Sequence, residues 1–307
     1  MVEGFFKSLT FLSQARKNHV VLSNYHLFDA LTIKLSPVQS MLLASVFFAL
    51  MNVSVKFIPH IPAIEIVWFR SVFSAVFTVL VLRKKGIPLF GTQKLTLVAR
   101  GIVGSTSLIL FFYTLQRIPL ATAVTLQYLS PIFTTILGIF ILKEKVKARQ
   151  FVYFGLAFVG VLLIQGVDPR VDGLSAAMGL VSALASGIAY NLIRKLKGIE
   201  HPLVIIFYFP LVTLPIATVL MYFDWVTPLG WDWLILLWIG FCTQNAQYFM
   251  TLAYQSGNVS RISSLSYLGV VYALIFGFLL FGETFPILSY IGMVLVFIGI
   301  LLNLRVK

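Results

Sequence analysis

Residues 125–133 read TLQYLSPIF and lie inside a long apolar run. Gln127, Ser130, Pro131, Thr134 and Thr135 recur there at i, i+3, i+4, i+7 and i+8, the spacing of one helical face. Gln244, Gln247, Tyr248, Thr251 and Gln255 form a second such stripe at i, i+3, i+4, i+7 and i+11, and Ser263, Ser266 and Tyr267 a third. Amides and hydroxyls facing hydrocarbon are costly unless bonded. They either bond across packed helices or line a wet cavity that holds a small polar molecule. Three glutamines on one face exceed what packing needs, so a cavity is expected for that stripe and for Gln127 with Tyr128. Charges in apolar runs are functional candidates by default. Asn52 and Lys56 lie one turn apart, with Glu65 and Arg70 just beyond. Lys56 either snorkels or pairs with Glu65. The planar guanidinium of Arg70 matches a carboxylate or phosphate, although a cluster of carbonyls would also hold it. Tyr190, Asn191 and Arg194 form either an inner gate or an interfacial anchor. The set is basic and has no deep acid, which suits an anion or zwitterion better than a cation.

These residues must be positioned by helices in a bilayer. Of 307 residues, 59% are hydrophobic and only 11% charged, against about 25% charged in soluble domains. A span needs roughly 20 apolar residues. The pattern predicts an all-α integral membrane fold with ten transmembrane helices, at about 38–58, 64–82, 96–115, 119–142, 150–167, 174–192, 203–222, 233–253, 260–281 and 287–303. The net charge of +13 falls in short clusters between these runs, so it reads as topology and not as nucleic-acid binding. One side takes Lys7, Arg16, Lys17 and Lys34, then Arg83, Lys84, Lys85 and Lys94, then Lys143, Lys145, Lys147 and Arg149, then Arg194, Lys195 and Lys197, then Arg305 and Lys307. The other loops hold Arg117, Arg170 and the acids Asp168, Asp172, Asp224 and Asp232. Both termini are therefore expected in the cytoplasm. Residues 1–36 read as a cytoplasmic arm, in which FFKSLTFL either lies on the membrane surface or is a disordered tail.

Glu144 and Glu283 align at an offset of 139 residues. LQRIPLA (115–121) then meets YQSGNVS (254–260), TLQYLSPIF meets SLSYLGVVY, Tyr128 meets Tyr267, and Gly160 meets Gly299. Each half carries five spans. Five is odd, so the second half enters from the opposite side: two inverted five-helix repeats, with residues 37–168 and 173–303 as the halves and 304–307 as a cytoplasmic tail. Substrate sites in such architectures lie near the midplane between the repeats. Gly179, Ala183 and Gly187 form a stripe for close helix packing, as do Gly292 and Gly299. Trp225, Trp231 and Trp233 read as an aromatic belt, and Glu144 and Glu283 as structural helix ends.

The Lys56 end of the first span, the Trp68-Phe69-Arg70 element, the run from Tyr113 through Pro131 to Glu144, the run ending Phe281-Gly282-Glu283 and the Gly292…Gly299 pair together resemble the EamA branch of the drug/metabolite transporter superfamily. The resemblance covers about residues 38–303. It implies ten helices in two inverted halves, both termini inside, and transport of amino acids, nucleotide-like metabolites or drugs. Tyr113, in the third span, is counted among the substrate-facing residues.

The expected function is a carrier working by alternating access in the inner or plasma membrane. Its cargo is a small polar or amphipathic metabolite held by Asn52, Lys56, Arg70, Tyr113, Gln127, Tyr128, Tyr190, Asn191, Gln244, Gln247, Tyr248 and Tyr267. No cofactor and no metal are expected. Cys242 is the one cysteine, and His19, His26, His60 and His201 all lie outside the spans. With no HExxH, no GxSxG and no pair of deep acids, the sequence excludes an enzyme. It shows neither a charged ring nor a carbonyl filter of a channel. A multidrug exporter of cations and a non-transporting membrane subunit are the alternatives. The partners expected are the substrate and the lipid bilayer, with no nucleic acid. Both a monomer and a homodimer stay open.

Overall fold

The first apolar run begins a helix as soon as Pro37 supplies its preset φ, and all the described helices lie in one unit, Pro37–Lys307. The computed structural model describes residues 35–117, 123, 126–144, 146–165, 173–281 and 287–306. The arm up to residue 34, Glu283, Lys145 and the loop with Asp168, Arg170 and Asp172 lie outside the described residues.

The first half contributes α1 (Pro37–Lys56), α2 (Ala63–Lys84), α3 (Lys94–Arg117), α4 (Ser130–Ile141) and α5 (Ala148–Gln165). The second contributes α6 (Gly173–Lys195), α7 (Pro202–Met221), α8 (Asp232–Ser256), α9 (Val259–Ser264), α10 (Leu268–Phe281) and α11 (Ile287–Arg305). The described residues are otherwise loops, turns and short helical turns, with no strand among them. Five helices, α1, α2, α3 (over Lys94–Leu115), α6 and α7, are long and apolar enough to cross a membrane by length and composition. Large apolar side chains such as Leu80, Phe140, Val152, Val219 and Leu279 face outward. That is the surface of a helix bundle solvated by lipid.

The sequence reading gives one span over each of 119–142 and 260–281, with Pro131 able to kink the first. The structure interrupts both at equivalent places. Tyr128 and Leu129 form a turn ahead of α4, and Leu265–Tyr267 is a 3₁₀ turn between α9 and α10. Pro131 explains the first break, because it has no N–H to continue the ladder. The second half has no proline there and places Gly269 just past its turn. Interrupted helices leave backbone groups unpaired, and such backbone is tolerated at membrane depth where it lines a cavity.

The packing repeats with the sequence. α1 packs on α8 as α6 packs on α3, α4 packs on α6 as α10 packs on α1, and α3 packs on α7 as α8 packs on α2. α2 meets its own equivalent α7, and α5 meets α11. Exchanging the halves therefore preserves these helix pairings. The α5–α11 crossing shows this at atomic scale. A Cβ at Gly160 would lie 2.6 Å from the Gly292 carbonyl oxygen and 2.9 Å from the Val296 nitrogen. A Cβ at Gly299 would lie 2.8 Å from the Tyr153 oxygen and 2.9 Å from the Ala157 nitrogen. Tyr153 and Ala157 are the equivalents of Gly292 and Val296 at the same 139-residue offset. In α6, Gly179 lies against Leu126 and Gly187 against the Phe133 backbone, so two positions of its small-residue stripe let the fourth span approach.

Candidate functional site

A cavity of ≈ 160 Å³ lies between the halves. α1 contributes Met41, Ser45, Phe48, Met51 and Asn52, α2 contributes Arg70, and α3 contributes Arg100, Gly104, Ser107, Phe111 and Phe112. The broken fourth and ninth segments add Gln127, Tyr128, Ser130, Ser266 and Gly269. Ser186 and Tyr190 of α6, Phe209 of α7, and Gln247 and Met250 of α8 complete most of the wall. Both helix breaks thus open onto the cavity. Among the described residues, no aspartate or glutamate lines it.

Two arginines dominate its chemistry. Arg70 is 1% exposed and Arg100 2%. The Phe209 ring lies beside both, with the guanidinium carbons 5.6 Å and 5.2 Å from its centroid. Phe112 lies 5.7 Å from that of Arg70. Such ring faces attract cations but do not satisfy N–H groups. The Arg70 Nη1 points to the weak acceptor Met51 Sδ at 3.7 Å, and Arg100 Nη2 donates to Gln247 Oε1 at 3.2 Å. Nε and Nη2 of Arg70 and Nε and Nη1 of Arg100 are buried with no hydrogen-bond partner. The Asn52 Oδ1 is likewise a buried acceptor without a donor. Gly104 lies one turn beyond Arg100, and a side chain there would collide with Arg100 Nη1, so the missing Cβ makes room for the guanidinium.

Six of the twelve expected residues line this cavity: Asn52, Arg70, Gln127, Tyr128, Tyr190 and Gln247. The amide of Gln127 is also committed to packing. It donates to Ser186 Oγ at 2.8 Å and accepts from Ser182 Oγ at 2.9 Å, in a network that includes Ser107. Both readings of Gln127 therefore meet in one residue. Tyr267 lies behind Tyr128, its repeat equivalent, with ring centroids 5.8 Å apart and its hydroxyl buried without a partner. The other five lie outside the lining. Gln244 is clamped on α2, accepting from Ser74 Oγ at 2.6 Å and donating to Thr78 Oγ1 at 3.0 Å. Asn191 donates to the Thr134 and Gly187 carbonyls, both at 2.9 Å. Tyr248 packs against the core beside Phe249. Tyr113 lies under the Arg117 guanidinium at 4.2 Å, and Lys56 ends α1. The sequence reading passes over Arg100. It lies inside the span expected at 96–115, and the rule that singled out Arg70 applies to it equally.

On the side of the basic clusters the halves are tied together. Arg194 Nε lies 3.5 Å from Glu144 Oε1, and its Nη1 donates to the Gln255 carbonyl at 2.8 Å. Asn258 Nδ2 donates to Glu144 Oε2 at 3.2 Å. Glu144 belongs to the first half, and its partners to the second. The Tyr190 and Tyr254 rings stack nearby at 4.7 Å and 14°. At the other end, Glu65 Oε2 accepts from the Val226 N–H at 2.9 Å. The His60 ring lies 3.0 Å from Asp232 Oδ2, which also accepts from the Leu229 N–H at 2.9 Å.

Residues 35–166, and again 173–305, match the EamA-like transporter family. The chain belongs to that family. As an EamA-like protein it is a transporter, a multi-pass membrane protein and not an enzyme. The pseudopaline exporter CntI of Pseudomonas aeruginosa is 32% identical to it over 270 residues, 86% of this chain and 94% of the exporter. Human solute carrier family 35 member G1 is 29% identical over 262 residues, 79% of this chain and 71% of that protein. A solved crystal structure with 16% identity superposes with a TM-score of 0.73, over 88% of this chain and 98% of its own. That likeness concerns the fold alone.

Proposed function

We propose that this EamA-like protein is a secondary carrier with ten spans in two inverted halves, moving a small anionic or zwitterionic metabolite by alternating access. The observation that carries this reading is the pair of buried arginines, which leave four nitrogens unsatisfied in a cavity with no lining acid. Unpaired buried charge is strongly destabilising, and a transported anion relieves it during each cycle. A cationic drug would meet two like charges there. Aromatic walls from Phe48, Phe111, Phe112 and Phe209 suit a cargo with an apolar body. Repeated helix neighbours and the 139-residue offset support the inverted halves. The basic loops support cytoplasmic termini in an inner or plasma membrane. In this reading Arg70, Arg100, Asn52, Tyr128, Tyr190 and Gln247 touch the cargo, and Tyr267 supports Tyr128. The tie between Glu144 and Arg194 closes the cytoplasmic end in the conformation described. A relative named an exporter fits a metabolite carrier and leaves direction to experiment. The single chain encloses the cavity, so a homodimer is not required.

Thermal shift of the purified protein tests the reading. Amino acids, nucleotides and organic acids are screened against hydrophobic cations, because a ligand that binds the native state raises its melting temperature. We expect stabilisation by an anionic or zwitterionic compound that is lost in Arg70→Ala. Stabilisation by hydrophobic cations alone would overturn it.

A further inference from the structure

The charge in the cavity can be counted, and the count narrows the cargo. Arg70 and Arg100 each present two buried nitrogens without a partner. Each guanidinium has its own surroundings: Met51 and Phe112 beside Arg70, Gln247 and the open flank of Gly104 beside Arg100. Phe209 lies beside both, so the two cations are no farther apart than their distances of 5.6 Å and 5.2 Å to its centroid taken together. Neither cation has an acidic partner in the lining. A ligand with one carboxylate brings one negative charge to two cations and leaves one positive charge uncompensated in the cavity.

Resting on the reading above, we infer that the cargo is a dianion: a molecule with two carboxylate or phosphate groups, one on Arg70 and one on Arg100, and an apolar or aromatic body against Phe209. The lining also specifies something between those groups. The Asn52 Oδ1 is a buried acceptor without a donor. The other amide oxygens are occupied, that of Gln127 by Ser182 and that of Gln247 by Arg100. One N–H or O–H on the cargo therefore has one acceptor waiting. A simple zwitterion fits less well, since it brings no net negative charge to the two arginines and adds a third cation to a cavity with no lining acid. The two cations both come from the first half. Their repeat equivalents are Phe209 and Ile239, of which Phe209 lines the cavity, so at that position the second half supplies an aromatic ring where the first supplies charge.

Titration calorimetry on the purified full chain tests the count with matched pairs: glutarate against butyrate, isophthalate against benzoate, and 3-hydroxyglutarate against glutarate. One further charge-assisted bond predicts about tenfold to a hundredfold tighter binding of the diacid in each of the first two pairs. 3-Hydroxyglutarate, which adds one O–H donor and no charge, is expected to exceed glutarate in wild type and not in Asn52→Leu. In Arg100→Gln the diacid preference falls to about one while monoacid binding persists on Arg70. Gln247→Glu, which fills Arg100 with an internal carboxylate and keeps the side-chain shape, gives the same collapse, so a folding defect in Arg100→Gln does not hide the answer. Diacids and monoacids binding equally in wild type would overturn the dianion and leave the anion reading standing. Binding of tetraphenylphosphonium, with no acid bound, would overturn both.

Discussion

Alanine at Gly160 should lower stability, although alanine is the better helix former. In a helix Gly→Ala ordinarily gains up to about 1 kcal/mol. At Gly160 the new methyl would meet the Gly292 oxygen at 2.6 Å and the Val296 nitrogen at 2.9 Å. These are backbone atoms of α11 and cannot rotate away. The helices must separate, and overpacking of this kind costs roughly 1–3 kcal/mol, more where backbone is the obstacle. A net loss of about 1–2 kcal/mol follows, roughly 1.5–3 °C in melting temperature for a chain of this size. Gly299→Ala meets the Tyr153 oxygen at 2.8 Å and the Ala157 nitrogen at 2.9 Å and should lose a similar amount. The double variant should lose less than the two together, because both push apart one pair of helices. Gly155, with nothing within 4 Å of its added Cβ, is the control, and Gly155→Ala should be neutral or stabilising. Melting curves in one detergent suffice. If Gly160→Ala rises alongside Gly155→Ala, the close-approach reasoning is wrong.

Three further outcomes follow from the contacts. Removing the Arg194–Glu144 pair with Glu144→Gln should raise labelling of Ser266→Cys, in a Cys242→Ala background, by a cytoplasm-side thiol reagent; a partly exposed tie worth about 1 kcal/mol shifts the population about fivefold, and unchanged labelling would remove Glu144 from the closure. Gln244→Leu should lose about 1 kcal/mol of stability through its bonds to Ser74 and Thr78 and leave ligand affinity alone, whereas weakened binding would return Gln244 to the cavity. The bond from His60, helped by the Leu229 N–H, holds the Asp232 carboxyl below the usual carboxylate range. Its contribution is present above the unfolded value of about 3.9 and is lost as pH falls through the lower folded value. The melting difference between wild type and Asp232→Asn should therefore narrow below about pH 4, and a constant difference would refute the linkage.

Periodicity and composition made the helices legible, because an apolar run of bilayer length has few other uses. The repeat was legible too, through Tyr128 and Tyr267 and through Gly160 and Gly299, since residues that approach across an axis must recur on both sides of it. Polar stripes were less informative. Gln244 and Gln247 are three residues apart on one face of α8, yet one reaches α2 and the other the cavity. That choice belongs to the neighbouring helix, which no single-helix pattern contains. The break at Leu265–Tyr267 has no proline to announce it and was visible only through its equivalence to the break before Pro131. Arg100 was legible and overlooked, being one charge in a half whose ends are rich in lysine.

The central claim is that this chain carries an organic anion on two buried arginines. Entrance counterflow in proteoliposomes measures it most directly, with radiolabelled glutamate and glutarate outside and the unlabelled compound inside. The account predicts saturable accumulation by the wild type, its loss in Arg70→Gln and in Arg100→Gln, and no accumulation of labelled tetraphenylphosphonium. Accumulation of the cation, with either arginine variant as active as the wild type, would contradict it.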